Sequence, residues 1–260
     1  MSKDAYIIDG TRSAIGNFKG SLAAVRTDDL IASVIKNLIA KNPELPLDRI
    51  DDVIIGCANQ AGEDNRNIAR MALLLAGLPV SVPGETVNRL CASGMSAVAQ
   101  AMRAIKSGEG DLFIAGGVEG MSRGPFVISK AESGFATDQK MYDSSFGWRF
   151  INPEMEKTYG VEAMGKTAEN LAEMYKITRE EQDEFALNSQ MKATKAQESG
   201  RLAEEISDIV IPQRKGDPIL VNKDEFIKPN SNLEILGKLK PAFVKENGTV
   251  TAGNASGLND

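Results

Sequence analysis

The sequence has no histidine in 260 residues, and that absence excludes more than any single motif implies. Histidine is the usual base beside a cysteine or serine nucleophile and the commonest metal ligand, so an ordinary catalytic triad or zinc site would need unusual members here. Metal is not expected. Cysteine is scarce as well: two thiols do not make a disulfide framework, and each needs its own explanation. Apolar runs such as "MALLLAGL" fall far short of the roughly 20 residues needed to span a bilayer. No basic start followed by an apolar segment opens the chain, so the expectation is a cytoplasmic protein without membrane attachment. Net positive charge is also missing. Thirty Lys and Arg stand against 36 Asp and Glu, a formal charge of -6, which argues against broad attraction to nucleic acid or anionic membrane and favours a small ligand.

What is present is a hydrophobic content of 42%, enough for a real core in one large domain or two modest ones. The first 119 residues alternate short β-like runs with helical segments, the pattern of a mostly parallel α/β sheet. "AYIID" (5–9) reads as the first strand. "TDDLIASVIKNLIAKN" reads as an amphipathic helix with Thr27 as N-cap and Leu30, Ile31, Val34, Leu38 and Ile39 on one face. "DVIIGC" (52–57) gives a second strand, "NIARMALLLAG" (67–77) a helix closing at Gly77, and "ETVNRL" (85–90) a third strand. A helix from about Ala92 to Lys106 follows, then "DLFIAGG" (111–117) as a fourth strand. Residues 120–160 show no clean period and read as the start of an insertion. It contains a helix near 167–175 and a longer one opened by a capping box at Thr178 to Glu181, and a short strand at 207–211 comes after them.

Cys91 stands where a strand hands over to a helix. There the positive end of the helix dipole and unpaired N–H groups favour a thiolate, and a tight turn would push the sulfur out of the sheet. A lone cysteine is otherwise a small core hydrophobe, the reading taken for Cys57. Gly94 is expected to permit close backbone approach, and Ala92, Ser93 and Ala97 to leave room for a bulky substrate. "GTVTAGNASGLND" (248–260) suits a thin amide-bearing ligand, and also an ordinary surface turn. On spacing alone Lys228 reads as a solvated lysine, and Met164 and Phe243 as packing residues. "QAGEDNRNIAR" (60–70) is either a solvated loop or an interface.

Three stretches together resemble the thiolase family: "VNRLCASGMSAV", "IAGGVEGMSRGP" and "KLKPAFVKENGTVTAGNASGLND", in the family's order. "CANQAGEDNRNIARMALLLAGLP", "SLAAVRTDDL" and "FGWRFINPEMEKTYGVEAM" are closer still to the members acting on 3-oxoadipyl-CoA in aromatic-compound degradation. The resemblance implies an α/β thiolase N-terminal half, with a mixed, mostly parallel sheet and helices on both faces. Residues 1–119 would form its first segment, 120–247 an inserted α+β CoA-binding loop domain, and 248–260 the return. It implies Cys91 as the acyl-accepting nucleophile, with its N–H in an oxyanion hole. Ser256, Ala252, Met164, Ala242 and Phe243 would lie along the pantetheine of CoA, and Lys228 where an arginine meets the CoA phosphates. CoA would be a co-substrate, with no tightly bound cofactor and no metal.

The family's second half brings a histidine and a second cysteine for proton transfer, and neither motif occurs here. The resemblance therefore implies a chain lacking the C-terminal half, weak or inactive alone, that assembles with copies of itself through the N-terminal domain. The "QAGEDNRN" segment is a candidate contact in that assembly. Two rivals stand beside a simple truncation: one chain of a split thiolase, and a non-catalytic acyl-CoA-binding module. Arg149 is a candidate partner for a substrate carboxylate, or an ordinary surface arginine.

Overall fold

A computed structural model describes residues 3–260. The chain divides into two compact units. One holds the described residues up to Pro125 together with Glu205–Lys223 and Asn259–Asp260; the other holds Phe126–Glu204 and Asp224–Leu258.

The first unit is built on helix α1 (Thr27–Lys41), strand β1 (Asp52–Gly56), helix α2 (Ile68–Ala76), strand β2 (Gly84–Val87), helix α3 (Ser93–Ser107) and strand β3 (Phe113–Gly117). The strands form one sheet in the order β2-β1-β3, parallel at both pairings. Side chains alternate across a strand, so β1 sends Val53 and Ile55 to one face and Ile54 to the other. Val53, Ile55 and the following Cys57 are buried with Ile31 and Ile35 of α1 and Ile68, Ala69, Ala72 and Leu73 of α2. Ile54 is buried with Val87 of β2 and Ala97 and Ala101 of α3. Helices therefore cover both faces of β1, which explains why Val53, Ile54 and Ile55 are apolar in succession. Each fully buried Ile or Leu in this arrangement contributes about 1.5–3 kcal/mol relative to an exposed one.

Local signals set the helix ends. The Asn67 side chain accepts from Arg70 N to start α2, and Gly77 at φ 90 closes it. At α1 the expectation is corrected: Arg26 is the N-cap, without a side-chain cap bond, and Thr27 is the first helical residue and buried. The Arg26 guanidinium instead holds Asp28 of the first turn, at 2.8 and 3.0 Å.

Residues 5–9, expected as the first strand, join no ladder among the described residues. Tyr6, Ile7 and Ile8 are about four-fifths exposed, at 78%, 87% and 81%. Apolar residues of β propensity make a strand only beside an edge that accepts their N–H and C=O groups. Here Tyr6, Ile7 and Ile8 line a groove of about 360 Å³ whose other walls include Val98, Met102 and the edge strand residues Phe113 and Ile114. Asp9 ties the end of this segment to α1, accepting from Lys41 Nζ at 2.7 Å and Asn42 Nδ2 at 2.8 Å. Those two bonds, with one from Gly10 N–H, lower its pKa to about 2.

The second unit opens with the antiparallel pair β4 (Phe126–Ile128) and β5 (Met141–Asp143), then the helices α4 (Pro153–Tyr159), α5 (Met164–Tyr175) and α6 (Arg179–Glu198). The capping box at Thr178 and Glu181 is formed as the sequence implies. Residues 205–223, read from sequence as part of the insertion, form a hairpin of β6 (Ile209–Ile211) and β7 (Ile219–Val221) in the first unit. Ile209 and Val221 are buried there with Ala14, Leu22 and Leu30, which explains the placement. Helix α7 (Leu233–Gly237) belongs to the second unit, where the Arg179 guanidinium donates to its Leu236 carbonyl at 2.7 Å.

Candidate active site

The three parallel strands of the first unit each deliver one reactive or charged group just past their carboxyl ends: Cys57 after β1, Cys91 after β2 and Glu119 after β3. The two thiols lie in opposite environments. Cys91 is exposed and Cys57 is buried. Burial, followed by the nearby Glu119 and Asp64 carboxylates, pushes the Cys57 thiol up to about 12. It stays protonated, its Sγ 3.8 Å from Asp64 Oδ2.

Cys57, Asp64 and Glu119 place one ligand-type atom each within 4.8 Å of one another. Nothing local in the sequence marks this cluster, because its members come from three separate stretches. Its carboxylates already serve the backbone. Glu119 accepts from Ala58 N at 2.9 Å and Asn59 N at 3.1 Å, and Asp64 accepts from Gly62 N at 2.8 Å. The "QAGEDNRN" segment is thus anchored and more than a solvated loop. Glu63 in it also pairs with Arg123 and, at 3.3 Å, with Arg26.

The turn carrying Cys91 is tight. Leu90 takes φ 49, a left-handed conformation that costs a leucine about 1–2 kcal/mol. Hydrogen bonds hold its neighbours: Leu90 N donates to Asn88 Oδ1 at 2.9 Å, and the buried Ser93 hydroxyl donates to Leu90 O at 2.5 Å while accepting from Arg89 N at 2.8 Å. The close backbone approach expected at Gly94 is made chiefly at Gly56. A Cβ on Gly56 would fall inside the backbone of Ser93 and Gly94, whereas one on Gly94 would meet nothing nearer than 3.8 Å. Ser93 and Ala97 are buried, so they face the sheet and leave no room for substrate as the sequence reading supposed.

The remaining candidates belong to the second unit. Ala242 N donates to Val250 O at 2.9 Å, and Pro241 bridges to Thr251, which brings Ala242 and Phe243 beside the loop that carries Ala252. The Phe243 ring lies on the Gly165 backbone, next to Met164, so close that a Cβ on Gly165 would overlap it. Phe226 lies in the same way on Gly257, which follows Ser256, and Lys228 Nζ sits 5.4 Å from the Phe226 ring centre. All six candidates are exposed.

Two buried acids that the sequence reading passed over hold the 248–254 loop. Glu169 accepts from Thr249 N, Thr249 Oγ1 and Val250 N at 2.8–2.9 Å. Asp183 accepts from Asn254 Nδ2 at 2.9 Å and Arg179 Nε at 2.7 Å. Arg149 donates to the Ser144 carbonyl at 3.4 Å within its own loop.

The chain as a whole is matched in known proteins. Residues 5–260 fit the family model described as thiolase, N-terminal domain. The chain belongs to the thiolase family. It is 58% identical over 260 residues to the beta-ketoadipyl-CoA thiolase of Pseudomonas knackmussii, covering 100% of this chain and 64% of that protein. It is 55% identical over 258 residues to the 3-oxoadipyl-CoA/3-oxo-5,6-dehydrosuberyl-CoA thiolase of Escherichia coli, with 99% and 64% covered. A crystal structure of the Bacillus anthracis acetyl-CoA acetyltransferase superposes with a TM-score of 0.88 at 38% identity, again covering 100% of this thiolase chain and 64% of that one. The chain thus spans just under two thirds of the length of these relatives. Among its described residues no helix is long and apolar enough to cross a membrane.

Proposed function

We propose that this chain carries the nucleophile-bearing part of a thiolase acting on 3-oxoadipyl-CoA. In this reading the Cys91 thiolate attacks the 3-keto carbon and the bond between carbons 2 and 3 breaks. The departing two-carbon fragment takes a proton to become acetyl-CoA, and the thiol of a second CoA then removes the succinyl group from sulfur as succinyl-CoA. The Cys91 N–H, two residues ahead of α3, would stabilise the oxyanion. The observation carrying the proposal is the contrast between an exposed Cys91 and a Cys57 held protonated.

Ser256, Ala252, Met164, Ala242 and Phe243 are proposed to line the pantetheine and Lys228 to meet a CoA phosphate. A lysine there supplies charge without the bidentate fork of an arginine. The substrate class is supported by the names of the relatives at 55–58% identity. CoA serves as co-substrate, with no tightly bound cofactor, in a cytoplasmic protein that self-associates through its first unit. The sequence has no histidine, so the proton steps need groups from outside these residues, and the chain alone is expected to form the acyl-enzyme slowly or not at all.

Intact-mass measurement after incubation with 3-oxoadipyl-CoA tests the proposal, together with the C91S variant. A succinyl adduct of about 100 Da on Cys91, absent from Cys91→Ser, is the expected outcome when a histidine-bearing thiolase C-terminal half is supplied. CoA binding without any adduct under those conditions would favour a binding module instead.

A further inference from the structure

A nucleophile on a turn is only as well placed as the turn, and nothing about the Leu90 side chain explains why this one holds its shape. Leu90 is 71% exposed, so packing does not fix its φ of 49. The constraint comes from the peptide groups around it. The Ser93 hydroxyl takes the Arg89 N–H and gives its own proton to the Leu90 carbonyl, which also receives the Ser93 N–H at 3.0 Å. On the other side Asn88 takes the Leu90 N–H, while its Nδ2 donates to the Ala58 carbonyl at 3.0 Å. Both peptide groups of Leu90 are therefore clamped, one to the loop after β1 and one to the first residue of α3. Ser93 itself cannot drift, because its backbone rests on the bare Gly56 of β1.

We propose that Ser93 is a positioning residue for Cys91: its hydroxyl closes the Arg89–Leu90 turn in the left-handed form that presents the sulfur, with Asn88 as the second clamp. This deepens the acyl-transfer reading of Cys91 and rests on it. The chemistry is one of placement. A nucleophile whose carrier turn relaxes by an ångström loses rate steeply, on the order of tenfold to a hundredfold. Ser93 touches no reacting atom in this role.

The test measures, on the full chain, the alkylation rate of Cys91 by iodoacetamide and the yield of acyl adduct from 3-oxoadipyl-CoA, the latter with the supplied C-terminal half. Ser93→Ala is expected to slow alkylation about tenfold with its circular dichroism spectrum unchanged. Ser93→Thr, which keeps the hydroxyl, should stay near the wild-type rate. Adding Leu90→Gly to Ser93→Ala should restore most of the rate, since glycine takes a positive φ without strain. A structural serine whose loss merely loosens the fold would not show that rescue. Asn88→Ala removes the exposed clamp without touching the core and should slow alkylation in the same direction, which keeps the idea testable should Ser93→Ala not fold. Folded Ser93→Ala or Asn88→Ala protein alkylated at the wild-type rate would overturn the proposal, as would a loss that neither threonine nor Leu90→Gly repairs. Iodoacetamide needs no CoA site. A turn that controls alkylation while no acyl adduct ever forms would therefore overturn the acyl-transfer reading alone, and adduct formation indifferent to Ser93→Ala would overturn the positioning role alone.

Discussion

Two cysteines in one small unit differ in burial and in the groups that surround them. Cys57 is sealed under α2 beside two carboxylates and its ionisation is pushed up to about 12, while Cys91 faces solvent on a strained turn. At pH 8 iodoacetamide should therefore modify Cys91 alone, and Cys57 should react only after unfolding in urea, where its pKa returns toward about 8.5. Peptide mass mapping before and after urea reads this directly; early labelling of Cys57 would mean that α2 opens readily. Much of this contrast is legible in sequence, since Cys57 closes the apolar run of β1 and Cys91 precedes an alanine-rich helix. The companions are not. Glu119 lies 61 residues from Ala58 and Asp64 seven residues beyond Cys57, and nothing local marks them as neighbours of one thiol. Ser93 was visible only as a small residue, because a hydroxyl's role depends on where the preceding turn puts its carbonyls.

Among the elements, the loop at 248–254 is held from α5 and α6 by buried carboxylates, and Glu169 does most of it. Burial raises its pKa, but the Val250 and Thr249 N–H groups and the Thr249 hydroxyl together outweigh that, and the net shift is downward. A folded-state pKa below the unfolded value means that the carboxylate contributes stability above about pH 4.3 and loses it as pH falls through the folded value. Glu169→Gln should remove about 2 kcal/mol of amide-exchange protection at Thr249 and Val250 near pH 7. The difference from wild type should shrink below about pH 4. A loss of equal size at both pH values would show that shape and not charge holds the loop. Elements with a period or an end signal were readable in advance: α1 by its apolar face, α2 by Gly77, α6 by its capping box. The three-residue strands β4, β5 and β7 and the five-residue α7 are too short to show any period. Residues 5–9 have a strand's composition, yet a strand is a property of two segments, and these lie beside the edge strand β3 across a groove without pairing to it.

For the molecule as a whole, the apolar surface and the net charge oppose each other. Met95, Val98 and Met102 on α3 are exposed, as are Tyr6, Ile7 and Ile8, and in the other unit Phe126, Ile128 and Phe135. Exposed apolar side chains such as these drive association, while a formal charge of -6 on every copy resists it. At low ionic strength the repulsion acts over tens of ångströms, and at 0.5 M salt it is screened within roughly 4–5 Å, leaving the apolar contact unopposed. Sedimentation velocity at a fixed protein concentration should thus show larger species in 0.5 M than in 0.02 M sodium chloride, and 8-anilinonaphthalene-1-sulfonate should fluoresce with the folded chain at either salt. Association that weakens with salt would assign the contact to charged groups such as those of the 60–67 segment. A chain that stays monomeric throughout and binds no dye would show that the exposed side chains pack away in solution, and self-association through the first unit would then have to be abandoned.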